Sequence, residues 1–461
     1  MSTLLKNSNR IWRLFVITGI TAIVAFGTYS CDKMVNVTDP DIVTPESLVG
    51  QQGLETLRAG SLGDLAVAMS GSAAGHGATA GLITMSALMT DEYIYTGTFP
   101  TRREADTRNV QNTNGTMNGI YGNMHRARAA AERAAELAAE IGGLTAIESE
   151  MQNISGYSYI MFAETFCPGV PFSKAPADGG DLQLGEPLTT ELMFSRAADW
   201  FDDALNSAGS ANPQMANLAR IGKARALLGL GQISEAASMV QSVPTDFVYN
   251  IEHSDNSLRQ QNGLYIMTTV RQQFSVAGGK GGNGLFFQAD SLPPDPRVPW
   301  EDNGEKGQDD ITKYYNQLKY TSTSASVVLA SGIEARLIEA EAAVQAADTQ
   351  AVEDIHNALR ALEGLPADDL SGMDQDELRA YHSGCLVRAT ARETCADWYV
   401  CMVKMHQMCS LGVHILKEGN MSLYFHFRYL SPRRTIQTLR DVWMNKILKQ
   451  KTCFKQYKKG A

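Results

Sequence analysis

A chain of 461 residues with 44% hydrophobic residues and a formal net charge of −10 is long enough for one to three domains with a substantial core, and its acidity argues against nucleic acid as the main partner. The average hides a split: from Tyr381 onward there are 14 Lys and Arg against 4 Asp and Glu, so this tail carries +10 and residues 1–380 carry −20. Five of the seven cysteines also lie in the tail.

The chain begins with Lys6, Arg10 and Arg13, an apolar run over 14–27, the small-residue stretch Thr28-Tyr29-Ser30, and then Cys31. These are the charged, apolar and cleavage regions of an export signal in order. The run is short of the ~20 residues that span a bilayer. A cysteine directly after the cleavage point resembles a bacterial lipoprotein signal, which makes Cys31 the lipidation site and the new N-terminus. Tyr29 and Thr28 depart from the usual small and aliphatic residues there, so a plain secretory cut is the alternative. With Cys31 acylated, Cys167 is the only cysteine left before the tail, and no disulfide framework is expected.

Residues 32–52 hold Asp-Pro and Thr-Pro turns without sustained periodicity and predict an extended tether. Leu54, Leu57, Leu62, Leu65 and Met69 then mark a helix, and Leu82, Met85, Leu88 and Met89 a second, with Gly-rich 70–77 between them. The segment DEYIYTGTFPTRREADTR (91–108) is predicted irregular. An Ala-rich helix follows over 116–141, closed by Gly142-Gly143, and another over 147–166 carries Gly156 and Tyr159. A turn-rich insert (167–189) precedes a helix with a Thr-Thr-Glu start and Ala197, Phe201 and Ala204 on one side.

The stretch QMANLARIGKARALLGLGQISEAASMVQSV (214–243) reads as an αα-hairpin. Ala216, Ala219, Ala224, Leu227 and Leu228 recur at helical steps, Gly231 permits a tight turn, Ala236, Val240 and Val243 resume the pattern, and Pro244 ends it. The unit resembles a tetratricopeptide repeat, which buries its apolar face only by stacking on neighbours. Its second-helix spacing of small, apolar, small recurs at Ala197, Phe201, Ala204 and at Ala351, Ile355, Ala358, each after a first helix (147–166 and 334–346). The longest non-helical region is expected between Pro244 and Ser326, with the helical pattern returning over 327–364. The fold class is therefore all-α: a tetratricopeptide-like helical-repeat solenoid with long irregular loop insertions. Tyr159, Trp200 and Phe201, at helical spacing, are expected in its core.

Long loops in a compact domain carry function. Tyr93, Tyr95, Phe99 and Trp300 are rings in irregular polar surroundings, able to stack on sugar faces while Arg102, Arg103 and Asp106 hydrogen-bond hydroxyls or carboxylates. The competing reading is that the rings pin their loops to the core. No metal or cofactor is expected. Cys395, Cys401, His406 and Cys409 lack a paired C-x-x-C, GGKGGNG (278–284) lacks the spacing of a phosphate loop, and the acidic run Asp302 to Asp310 lacks the D-x-[DN]-x-[DN]-G calcium pattern. No carboxylate pair stands out for hydrolysis.

Several segments together resemble the SusD/RagB family: CDKMVNVTDPDIVTPESL after the signal, TDEYIYTGTFPTRREADTR, GYSYIMFAETFCPGVPFS, ARIGKARALLGLGQISEAASMV, DPRVP, and QLKYTSTSASVVLASGIEARLIEAEAAVQAAD. The resemblance covers about residues 31–380. It implies a non-enzymatic, lipid-anchored protein on the outer surface of the outer membrane that captures a nutrient, commonly a glycan and sometimes a peptide, for a TonB-dependent, SusC-like transporter. A helical-repeat adaptor that binds protein, with no nutrient ligand, is the alternative. The tail departs from the family, which closes with a segment like GHRLGDLRRL and later an FP-x-G-x-Y turn. Read two bases out of step, the codons of the segment beginning RATARETCADWYV permit GHRPGDMRRL and then VFPRGTYF. The expected organisation is a signal peptide (1–30), a SusD-like ligand-binding domain (31–384) and an out-of-frame tail (385–461), with the frame break near 380–387.

Overall fold

The computed structural model describes residues 48–75, 78–90, 92–166, 168–174, 176, 180–277 and 296–392, with the short pairs 414–415 and 425–426. Twelve helices and only short strands make up the described residues. The helices that build the stack are α1 (Gly50–Ser70), α4 (Gly115–Ile141), α5 (Thr145–Thr165), α6 (Thr190–Ala208), α7 (Pro213–Gly229), α8 (Ile233–Val240), α10 (Gly332–Gln345), α11 (Thr349–Leu362) and α12 (Gln375–Arg392). The shorter α2 (Leu82–Met89), α3 (Pro100–Asp106) and α9 (Gly263–Tyr265), the last continued by a π-helical turn at Ile266–Val270, belong to the connections.

Neighbours in sequence are neighbours in space. Helix α1 packs on α4, α4 on α5, α5 on α6, α6 on α7 and α7 on α8; α8 then packs on α10, which carries α11 and α12. This is the solenoid that the repeat spacing predicts. Helix α7 opens with the Asn212 side chain accepting from Met215 N and with Pro213 in its first turn, where a missing N–H costs nothing. It closes at Gly231, whose φ of 76° is left-handed and lets Gln232 N reach Leu227 O at 2.8 Å, turning the chain into α8.

Close packing between layers depends on residues without a side chain. Phe201 of α6 is fully buried, and its ring lies against Gly156 of α5 and Gly222 of α7: a Cβ on either glycine would sit 2.7 Å and 2.3 Å from it. Burying one such ring is worth about 1.5–3 kcal/mol. Ala197, Ala204, Ala216, Ala219, Ala224, Ala236 and Val240 complete the interior. Most of the core is one continuous cluster, while Val344, Val352, Leu370 and Leu378 form a separate small one under α12.

Four expectations are corrected. The third small-apolar-small match is out of register: α11 buries Val352, His356 and Leu359, and Ala358 is exposed, because an amphipathic helix tolerates alanine on either side. Residues 327–331 are strand β10 (Val327–Ser331), paired antiparallel with β6 (Val248–Ile251); the β-branched run serves a sheet and the helix starts at Gly332. Residues 92–108 form a short strand, a turn and α3, and the described part of 244–326, expected to be non-helical, holds the helical turns of α9 and its π-helical continuation. Trp200 is half-buried against the core edge, unlike Tyr159 and Phe201. Cys31, the 278–284 loop and the cysteines and histidine at 395–409 lie outside the described residues. No helix among the described residues is long and apolar enough to cross a membrane.

Candidate ligand-binding site

The insertions meet in a patch of four short strands. Strand β3 (Tyr93–Tyr95) pairs antiparallel with β7 (Phe274–Val276), putting Tyr93 opposite Val276 and Tyr95 opposite Phe274. Val276 N donates to Tyr315 O at 3.0 Å, and the next residues, β9 (Asn316–Gln317), pair with β8 (Trp300–Glu301). Segments some 180 to 220 positions apart thus share one surface. The loop after β8 closes over the β3 turn: Asp309 N donates to Thr96 O at 2.9 Å, and a Cβ at Gly307 would lie 2.3 Å from the Thr96 Cβ.

The sequence-chosen residues divide into two groups. Tyr95 is 2% exposed; its ring meets Phe274 edge-on at 5.5 Å, its hydroxyl accepts from Phe99 N at 2.8 Å, and burial pushes its pKa up. Arg102, 4% exposed, donates to Ala78 O at 2.8 Å and to the Gln273 side chain, and burial pulls its pKa below the usual arginine range. Asp106 accepts from Tyr95 N at 3.1 Å and fixes the start of the turn relative to α3. These three side chains hold the loop in place. Tyr93 and Phe99 are half-buried and Arg103 is exposed, its guanidinium donating to Gly97 O at 2.6 Å and lying 5.4 Å from the Tyr95 ring centre.

Trp300 is half-buried, and its partner was not singled out in the sequence: Tyr315, whose ring meets it edge-to-face at 5.6 Å and 84°. Exposed Lys313 sits over the Tyr315 ring at 4.8 Å and pairs with Asp302 at 2.6 Å, and the hydrogen bonds it donates to Asp302 and Tyr315 raise its pKa. The patch is stiffened from behind. Tyr314 OH donates to Thr268 O at 2.6 Å, and the Gln317 amide bonds Thr268 Oγ1 at 3.1 Å and accepts from Tyr320 N at 2.8 Å. The result is a preorganised pair of half-buried rings with Glu301, Lys313 and Asp302 beside it, while buried Asn316 holds Glu301 and Tyr314 from behind. Such a surface takes the apolar face of a sugar and hydrogen-bonds its hydroxyls.

The acidic loop is satisfied internally: Asp309 accepts from Ile311 N, Thr312 N and Thr312 Oγ1, and Asp302 from Gly304 N and Lys313. Among the described residues no three His, Cys, Asp or Glu side chains converge on a metal position.

A wide groove of about 780 Å³ lies between α1 and β6. Its lining includes Arg58, Asp64, Glu150, Glu252, His253 and Arg259; Gly60 and Gly63 leave its α1 wall bare. Its single aromatic residue, Tyr249, is buried with its hydroxyl on Glu150 at 3.0 Å. The charges are paired with one another, Arg58 with Glu150 and Asp64 with Arg259. It offers no exposed ring face for stacking.

No family model and no curated protein matches the chain. Among solved structures it is similar to a SusD superfamily protein from Bacteroides vulgatus, at 12% identity and a TM-score of 0.59 over 82% of this chain and 96% of that one. It is similar also to a SusD/RagB family protein from Bacteroides thetaiotaomicron, at 15% identity and 0.54 over 80% and 89%. A third is surface glycan-binding protein A from Bacteroides uniformis, at 11% identity and 0.51 over 76% and 86%. At these identities the likeness is one of fold, and the fold is the one that the sequence resemblance implies.

Proposed function

We propose that this chain, whose fold is that of the SusD/RagB proteins, is a surface-exposed binding protein that captures an oligosaccharide on the Trp300–Tyr315 ring pair and catalyses no covalent reaction. The observation that carries the reading is that pair: two half-buried rings at 84° on a strand patch locked from behind, with polar side chains around its rim. Tyr93, Phe99 and Arg103 extend the surface, and Tyr95, Arg102 and Asp106 hold it rather than touch the ligand. The resemblance adds that Cys31 carries the lipid anchor, that the protein sits on the outer membrane, and that it delivers its ligand to a TonB-dependent transporter.

Glycan-array binding of the full chain, followed by calorimetry with the best oligosaccharide, tests this. Binding that survives in wild type and is lost in Trp300→Ala supports it; an array without a bound glycan, or binding indifferent to Trp300, overturns it. The adaptor alternative has one observation in its favour, the α1–β6 groove, which presents no exposed ring and where, among the described residues, β6 pairs only with β10, leaving its other edge for an extended polypeptide.

A further inference from the structure

Helix α12 is joined to the rest of the solenoid by a chain of titratable side chains. On its first turns Leu378 enters the small separate core with Val344, Val352 and Leu370. One turn further, His382 is 2% exposed and reaches two helices at once: its Nδ1 lies 3.0 Å from Nε2 of His356 on α11, also 2% exposed, and its Nε2 lies 3.1 Å from Glu341 Oε2 on α10, in ion-pair range though off the line of a hydrogen bond. The two rings meet at 63° with their centres 5.2 Å apart.

The proton count of this chain is constrained. The 3.0 Å His–His contact holds one proton between two ring nitrogens; a second would set two N–H groups against each other. Every helix packed here contributes a charge or a titratable group. From α10 comes Glu341; from α11 comes Arg360, with Glu363 just past its end; from α12 itself Tyr381, Cys385 and Arg379; and from the connecting loops Arg297 and Asp368. Arg360 pairs with Asp368 at 3.0 Å, and Tyr381 OH donates to Asp368 at 2.8 Å. Glu341 compensates a charge on His382, but His356 faces Arg297 and Arg360 and has no carboxylate of its own in the ring contact. Burial, His382 and the two arginines all oppose charging His356, pushing its pKa down to about 3.

We propose that the Glu341–His382–His356 chain, which lies on the domain side of the 385–461 tail, is an acid-sensitive latch that releases the first turns of α12 (375–384) from the α10–α11 pair while the remainder of the solenoid stays folded. Undocking frees His356 to take up a proton at its ordinary value near 6.5, so the docked state is favoured fully above that pH and progressively less as pH falls toward 3. One proton per opening raises the opening constant up to tenfold for each pH unit below about 6.5. The segregated four-residue core under α12 lets this happen without breaching the main core.

Hydrogen exchange followed by mass spectrometry on the full chain between pH 7.5 and 4.5, normalised to unstructured-peptide rates, reads the opening directly. The expected result is that residues 375–384 lose protection as pH falls, by about tenfold per unit, while 213–243 keep theirs. In His356→Gln the step disappears and protection is flat across the range. If that variant undocks α12 at every pH, histidine C2-hydrogen exchange in the wild type serves instead, with His356 expected to titrate together with the loss of α12 protection. Protection of 375–384 that is independent of pH, or that falls in parallel with 213–243, overturns the proposal. So does a step that persists in His356→Gln, or titration of His356 near 6.5 with α12 still protected.

Discussion

The guanidinium of Arg225 lies 2.9 Å from Oε2 of Glu164, and the two side chains are 3% and 1% exposed, in the seam where α5, α7 and α10 meet. Glu334 of α10 approaches the same arginine at 3.4 Å, so one cation stands between two buried carboxylates. Burial pushes Glu164 up to about 7, against the pull of Arg225.

A raised folded value makes the folded state the better proton binder between the ordinary 4.5 and 7. Stability from this site is therefore full below 4.5 and is lost as pH rises to 7, by a few kcal/mol. Urea denaturation across pH 4 to 8 should show that decline superposed on other titrations, and Glu164→Gln should remove it. Arg225→Met, which strips the shared cation, is expected to cost about 3–5 kcal/mol at pH 7.5.

The glycines that accept Phe201 should resist the usual helix-stabilising exchange. Gly→Ala in a helix interior is ordinarily worth about 0.5–1 kcal/mol in favour of folding. At Gly222 the new methyl would lie 2.3 Å from the Phe201 ring. Gly222→Ala is expected to destabilise by about 1–3 kcal/mol through overpacking, measured by thermal or urea melting. Gly119→Ala, at a position with open space around its Cβ, is expected to be neutral or stabilising and serves as the comparison.

Rings that look equivalent in the sequence should separate in experiment. Trp300→Ala and Tyr315→Ala are expected to weaken oligosaccharide binding at least tenfold while shifting stability by about 1 kcal/mol or less, since both rings are half-exposed. Tyr95→Ala, at 2% exposure and packed on Phe274, is expected to cost about 3–5 kcal/mol of stability. Calorimetry with the same oligosaccharide and melting of each variant distinguish the two patterns.

The proposed frame break carries its own check. Independent resequencing of the gene around codons 380–387 should find a missing or extra base, and a chain ending after Arg392 should melt with the same midpoint as the full chain. An intact reading frame there, or a marked loss of stability on removing 393–461, contradicts the tail's being out of frame.

What could be read from the sequence was what repeats locally. Alanine and glycine at three- and four-residue steps announced the α7–α8 hairpin, its turn at Gly231 and the helices around Phe201, because each helix writes its buried face into its own period. The pairings between distant segments left no such mark. Strand β3 spans three residues and β7 three more, too short to show alternation, and β10 reads as the apolar start of a helix because its partner β6 lies 76 positions earlier at the Val327–Ile251 pair. Tyr315 escaped for the same reason: only the β8–β9 pairing brings it to Trp300. On α11 the spacing found a helix but chose the wrong side, since Ala351 and Ala358 carry too little hydrophobicity to set a direction against Val352 and Leu359.

The strand patch also sets a timetable for synthesis. Tyr93 emerges from the ribosome long before its partner Val276, and the β8–β9 half of the patch, with the Trp300–Tyr315 ring pair, is complete only once Gln317 has followed. A chain stalled or clipped before position 274 can assemble helical layers from its first half, yet it leaves β3 an orphaned strand edge, and one ending after 277 but before Trp300 lacks both rings of the pair. Occupancy of this surface is thus a late milestone of biogenesis, reached only by molecules that have been translated through Gln317 and have closed their longest connections.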